Sequence, residues 1–201
     1  MSEAQTDAQL LAASRSNPHW FVGIFDRHFA PIHRYAARRV GPELADELAA
    51  ETFVQAFERR RFYDVRRPDA RPWLYGIAAN LLRQHRRTER RQLRAYARHG
   101  VEPAVDHESD AVSRADAGDQ GRRLAAALAD LPARDRDVLL LYAWADLTYD
   151  EIGLALDVPV GTVRSRLNRA RRRVRVSLQA NEDSATERPQ QAAEEVLPWT
   201  S

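Results

Sequence analysis

Apolar residues between Phe21 and Val40 recur at helical spacing, with Phe21, Ile24, Phe25, Phe29, Ile32, Tyr35, Ala36 and Val40 on one side of the wheel. That spacing predicts a helix over 18–40. Gly41-Pro42 closes it and opens a second helix over 42–59, since proline is favoured in a first turn. In the second helix Leu44, Leu48, Phe53, Val54 and Phe57 can point inward, while Glu43, Asp46, Glu47 and Glu51 gather acid on the other side. A loop rich in arginine and aromatic residues follows over 60–72. A third helix starts near Pro72, turns Trp73, Leu74, Ile77, Ala78, Leu81 and Leu82 inward, and runs on into a basic end. Further along, Leu124, Leu128 and Leu131 mark a helix over 120–130, and Val138, Leu139, Leu141 and Tyr142 mark another from Pro132 to about Trp144.

The stretch from Leu147 to Arg175 has the pattern of a helix-turn-helix resting on those two. Thr148 and Glu151 form a T-x-x-E capping box, so a helix begins at Tyr149. Its apolar run ends at Asp157-Val158-Pro159, where proline disfavours helical geometry in the residue before it. The next helix opens near Gly161-Thr162, and Val163, Leu167, Ala170 and Val174 make its buried stripe. Ser165, Asn168, Arg169 and Arg172 fall on the opposite face, flanked by Arg164, Arg166, Arg171, Arg173 and Arg175.

Charge sharpens this picture. Lys+Arg total 31 against 29 acids, for a net charge of +2, but every cation is arginine and the two signs are segregated. No acid occurs between Asp157 and Glu182. Such a run reads either as a solvated basic face or as a duplex-binding one. The capping box, the proline turn and the apolar stripe favour DNA, because a helix-turn-helix lays its second helix in the major groove. A second basic run, Arg83, Arg86, Arg87, Arg90, Arg91, Arg94 and Arg98, is opposed only by Glu89. With Phe62, Tyr63 and Trp73 nearby, it resembles a surface where unstacked bases lie on rings and phosphates on arginines, although a tryptophan on an apolar face, as Trp73 is, is more often core than platform.

Between the two, residues 100–121 are acidic and poor in large apolar side chains. The expected organisation is therefore all-α: two small helical domains over 18–98 and 120–176, joined by a flexible acidic linker, disordered or weakly helical, over 99–119. A loose segment 1–17 and a disordered tail 177–201 flank them. The tail ends in Val196-Leu197-Pro198-Trp199, a candidate short recognition motif. There is no cysteine, the histidines lack metal-ligand spacing, and neither a signal peptide nor a membrane-length apolar run is present. The chain is expected to be cytoplasmic, with no membrane insertion. No acid–base pair, nucleophile constellation or phosphate-binding glycine loop is found, so no catalytic residue, metal or cofactor is expected.

The segments ADELAAETFVQAF, RPWLYGIAANLLRQHRR and LPARDRDVLLLYAWADLTYDEIGLALDVPVGTVRSRLNRARRRV resemble those of bacterial extracytoplasmic-function (ECF) sigma factors, specificity subunits of RNA polymerase. The resemblance covers roughly 21–94 and 122–176, and LTYDEIG followed by VGTVRSRLNRAR is its most specific part. It implies a region-two bundle and a region-four helix-turn-helix. Core RNA polymerase, promoter DNA and an inhibitory anti-sigma factor are the implied partners. By the same resemblance Asp46, Glu47, Leu48, Glu51 and Phe53 belong to the helix that docks on the polymerase clamp. Phe62, Tyr63, Trp73, Asn80, Arg83 and Arg87 would melt and read the -10 element, and Thr162, Arg164, Ser165, Asn168 and Arg169 would face the -35 element. Two residues depart from the family pattern: Ala50 where glutamine is usual, and Gln84 where an aspartate is common. A stand-alone helix-turn-helix repressor or activator, or a protein that binds structured RNA, are the competing readings of the same residues.

Overall fold

The computed structural model describes residues 5–99 and 111–186, with side chains placed over 5–99 and 118–180. Its helices are α1 (Asp7–Ser14), α2 (Val22–Val40), α3 (Pro42–Arg59), α4 (Arg71–Gln84), α5 (Arg86–His99), α6 (Ala111–Asp130), α7 (Ala133–Trp144), α8 (Tyr149–Leu156) and α9 (Val160–Thr186). Single 3-10 turns precede α2 and follow α3. No strand occurs among the described residues. The amino-terminal bundle buries Ile24, Ile32, Tyr35, Leu48, Phe53 and Leu74, with Phe25 edge-on to Phe53 at 5.1 Å between ring centres. The carboxyl-terminal bundle buries Leu128, Val138, Leu140, Leu141, Ile152, Val163 and Leu167.

Four expectations need correcting, each for a physical reason. The segment expected to be loose carries α1, because Thr6 and Gln9 form a full capping box and Leu10 and Leu11 are buried. Its main anchor is Asp7, whose Oδ2 lies 2.7 Å from His28 Nε2 and accepts from the Ala70 N–H at 3.0 Å. Arg27 donates to Oδ1 at 3.0 Å. The third helix does not run unbroken into the basic stretch. It ends at His85 (φ -100°, ψ 24°), and α5 begins at Arg86. The stretch expected to be a disordered or weakly helical linker is, from Ala111, the continuous front of α6, where Asp119 pairs with Arg122 at 3.1 Å and Arg123 at 2.7 Å, while residues 100–110 lie outside the described ones. Finally, α9 continues to Thr186, so the expected disorder does not begin at residue 177. The Val196–Trp199 motif lies outside the described residues.

The two bundles meet where α4 packs on α8 and where α5 packs on α6. A Cβ on Gly76 would sit 2.6 Å from the Ala155 carbonyl oxygen, so only glycine allows this approach of helix to helix. Beside that seam lies a buried cluster of two guanidiniums and two carboxylates. Arg39 on α2 donates from Nε to Glu89 on α5 at 2.6 Å, from one terminal nitrogen to the Tyr35 hydroxyl at 2.8 Å, and from the other to Asp137 on α7 at 2.6 Å. Arg136, also on α7, donates to the second Glu89 oxygen at 2.7 Å and to the carbonyls of Leu128 and Leu131 at 3.2 Å each. The four charged side chains are 1–3% exposed. Burial would by itself depress the Arg39 guanidinium, but the Tyr35, Glu89 and Asp137 oxygens around it outweigh that and raise it. Burial also raises the Tyr35 hydroxyl. Charges this deeply desolvated persist only when paired, and deleting one partner of such a pair costs roughly 3–5 kcal/mol.

Candidate nucleic-acid interface

The helix-turn-helix is built as its caps dictate. The Thr148 N–H donates to the Glu151 carboxylate at 2.7 Å, and the Glu151 N–H returns to Thr148 Oγ1 at 3.3 Å. Asp157 ends α8 in the left-handed region (φ 52°), a conformation that aspartate tolerates better than most residues. The Val158 N–H then bonds the Gly153 carbonyl at 3.0 Å, and the amides of Thr162 and Val163 reach Pro159 at 2.8 and 3.2 Å. Val163, Leu167 and Ala170 are fully buried beneath α9. Arg164, Ser165, Asn168, Arg169 and Arg172 are exposed and Thr162 is half-buried, so the expected reading face is outward.

Within that face the arginines are not equivalent. Arg169 is held by a carboxylate that the sequence pattern does not reveal: its terminal nitrogen lies 3.1 Å from Asp135 Oδ1, and Nε lies 3.4 Å from Oδ2. Asp135 sits in the first turn of α7 and is itself buried. An aspartate three residues past the helix-starting Pro132 was the available signal. Arg171 turns away to lie 4.8 Å over the Tyr142 ring. Of the arginines in α9, only Arg169 has an ion pair among the described residues.

The loop before α4 is pinned from inside. Tyr63 is buried, and its hydroxyl lies 2.8 Å from the Arg67 carbonyl and 3.0 Å from that of Asp69, donating in a shared bond. Burial, with the nearby carboxylates of Asp7 and Asp69, pushes that hydroxyl up to about 12, so it stays a donor. Trp73 is half-buried against the Tyr63 ring at 5.0 Å between centres. Phe62, by contrast, is 88% exposed. A large aromatic ring left in water on so well-tethered a loop forgoes roughly 2 kcal/mol of burial. Asn80 is exposed and accepts from Arg83 at 2.8 Å, while Arg87 is exposed and lines a shallow groove of about 640 Å³ with Arg90, Arg91, Arg94 and Arg98.

The acidic face of α3 is also outward. Glu47 and Glu51 are exposed, and Asp46 meets His33 Nε2 at 2.9 Å with its side chain still 79% exposed. Leu48 and Phe53 are buried, as is the Thr52 between them, so these residues hold the helix instead of facing solvent.

A helical bundle that carries an acidic face, an exposed aromatic and a basic groove, followed by a helix-turn-helix, fits a class: two-part transcription factors. The match to known proteins names the family within it. Residues 24–92 match the model of Sigma-70 region 2, and residues 121–174 match Sigma-70, region 4. HrpL, an RNA polymerase sigma factor of Pseudomonas syringae, is 33% identical over 128 residues, which span 63% of this chain and 68% of HrpL. The ECF sigma factor SigL of Mycobacterium tuberculosis is 29% identical over 178 residues, 86% of this chain and 96% of SigL. The fold is shared with CnrH, solved in complex with the cytosolic domain of CnrY (TM-score 0.62, 24% identity, 87% of this chain and 97% of that one). It is also shared with RpoE of Bartonella quintana, solved with the anti-sigma factor NepR (TM-score 0.56, 19% identity, 79% of this chain and 96% of that one). The chain belongs to the ECF RNA polymerase sigma factors and directs promoter-specific initiation of transcription. Among the described residues no helix is long and apolar enough to cross a membrane.

Proposed function

We propose that the three outward faces divide the work of a non-catalytic initiation subunit. Asp46, Glu47 and Glu51 on α3 dock on core polymerase, with Leu48 and Phe53 fixing the helix from behind. Phe62, with Asn80, Arg83 and Arg87, captures and reads the opened -10 strand. A base taken out of the duplex can stack on the exposed ring while the arginines hold its phosphates. Tyr63 and Trp73 serve this task as the scaffold of the loop. Thr162, Arg164, Ser165, Asn168 and Arg169 read the -35 duplex: arginine can bridge guanine O6 and N7, and asparagine adenine N6 and N7. The observation that carries the reading is Phe62, 88% exposed on a loop whose other aromatic is buried and hydrogen-bonded.

Such a subunit works in the cytoplasm with polymerase. An anti-sigma factor covering the same faces is its natural antagonist; RpoE of Bartonella quintana is solved in complex with an anti-sigma factor. A stand-alone repressor has no use for the acidic face or for Phe62. Run-off transcription with core polymerase tests the proposal, using promoters identified by mapping transcript starts after overexpression. The full chain is expected to direct initiation at promoters sharing two upstream motifs. Tight binding to a palindromic operator without core polymerase would favour the repressor instead.

A further inference from the structure

The described state cannot read a promoter, and the reason is distance. This inference rests on the two-element reading proposed above. By their own numbering the -35 and -10 elements lie about 25 bp apart, or roughly 85 Å along B-form duplex at ~3.4 Å per step. A compact body of this many residues is only about 40 Å across. With α4 seated on α8, the loop that reads one element and the helix that reads the other belong to a single compact body. The chain must therefore open before both elements are engaged.

We propose that Arg39, Glu89, Arg136 and Asp137 form a latch that holds the chain in this closed, promoter-incompetent state, and that docking on core polymerase precedes its release. Three observations support it. The cluster joins the two halves directly: Arg39 and Glu89 lie within the region 2 match, and Arg136 and Asp137 within the region 4 match. Each cation contacts an anion of the other half, Arg39 to Asp137 at 2.6 Å and Arg136 to Glu89 at 2.7 Å. Opening splits both pairs, whereas closure leaves each of the four charges with a partner in a site that water does not reach. Closure also draws in the -10 reader, since Arg83 lies 3.7 Å from Asp137. The acidic face of α3 stays exposed throughout, with Asp46 79% exposed. The polymerase contact is thus accessible in the closed state while the two-element reading is not, which orders the steps: dock, open, then bind DNA.

The absence of cysteine makes the test direct. Spin labels are placed on Asp26→Cys in α2 and Gln179→Cys in α9, both exposed positions outside the proposed interfaces. Pulsed dipolar spectroscopy on the free full chain should give one short, narrow distance. Asp137→Asn, which keeps shape and removes one anion, should lengthen and broaden it. Gly76→Ala leaves every charge in place but pushes α4 off Ala155, and should do the same. Both should raise holoenzyme occupancy of promoter DNA at limiting sigma factor by several-fold, because apparent affinity scales with the fraction already open. Circular dichroism melting checks that each variant is folded, and if Asp137→Asn is not, Gly76→Ala decides alone. Unchanged distances in folded variants overturn the latch, as does a longer distance with no gain in occupancy. Failure of the unmodified chain to direct any transcript counts against the functional reading instead, and the label distances still report on the latch.

Discussion

Asp7 shows how much a segment with little sequence signal contributes. Burial alone would raise its carboxyl, but the bonds from His28 and the Ala70 N–H, with Arg27 beside them, outweigh that and bring it from an ordinary 3.8 to about 2. Because the folded carboxyl titrates below the unfolded one, its contribution is complete above about pH 4 and is lost as pH falls toward 2. The shift is worth about 2 kcal/mol at neutral pH. Replacing Asp7 by asparagine keeps the size of the group and removes the charge. The expected result at pH 7 is a loss of about 2 kcal/mol, read from urea denaturation followed by circular dichroism. The gap between the two proteins should then narrow steadily below pH 4, as the native carboxyl becomes protonated and resembles the amide. A gap that stays constant from pH 7 to pH 2.5 refutes the reasoning, since it would show that shape and not charge ties α1 to α2 and to the start of α4.

Other outcomes follow from the three outward faces. Phe62→Ala should leave the melting temperature unchanged, the ring being 88% exposed, but should reduce permanganate-detected promoter opening by about 10-fold or more, the scale of a single base–aromatic stack. Arg169→Ala should weaken discrimination at one -35 base pair by roughly 1–3 kcal/mol while core binding is unaffected, as measured by native gel assembly. Asp135→Asn, which loosens the carboxylate holding that guanidinium, should produce a smaller loss at the same base pair. Reversing Glu47 and Glu51 to arginine should cut affinity for core polymerase in fluorescence titrations and leave the circular dichroism spectrum intact, because both side chains are exposed.

What the sequence makes legible is local. The Thr148–Glu151 box, the stop at Asp157-Val158-Pro159 and the Val163–Leu167–Ala170 stripe are each written within a few residues, and α8 and α9 lie where those marks put them. The left-handed Asp157 adds a backbone device that proline alone does not suggest. Long-range pairing is a different matter. Arg39 looks like any surface arginine at the end of a helix, yet its partner Glu89 is 50 positions away and Asp137 is 98 away. The only local hint is a single glutamate in a run of arginines, which has little reason to sit there unless it is committed elsewhere. Tyr63 and Phe62 are adjacent and chemically alike, but only the hydrogen bonds of Tyr63 to Arg67 and Asp69 decide which ring is buried. The α1 segment is hard to see in the sequence because two leucines make too short a stripe, and the Asp7 bonds that fix it come from residues 27, 28 and 70.

The seclusion of the Arg39–Glu89–Arg136–Asp137 cluster gives ionic strength an asymmetric effect on this chain. Mobile ions screen exposed charges over about 8 Å at physiological concentration, but they do not enter a site whose members are 1–3% accessible. If the arginines of α5 and α9 hold phosphate as proposed, added salt weakens that hold by an amount that grows with the number of phosphates neutralised. It leaves the interior pairs untouched. On the proposed reading, raising salt therefore weakens the hold of the opened chain on DNA without loosening the closed form, and lowering salt does not open it. Release of the two halves from each other must come from a surface that competes for the groups they share, and the surrounding electrolyte cannot supply one.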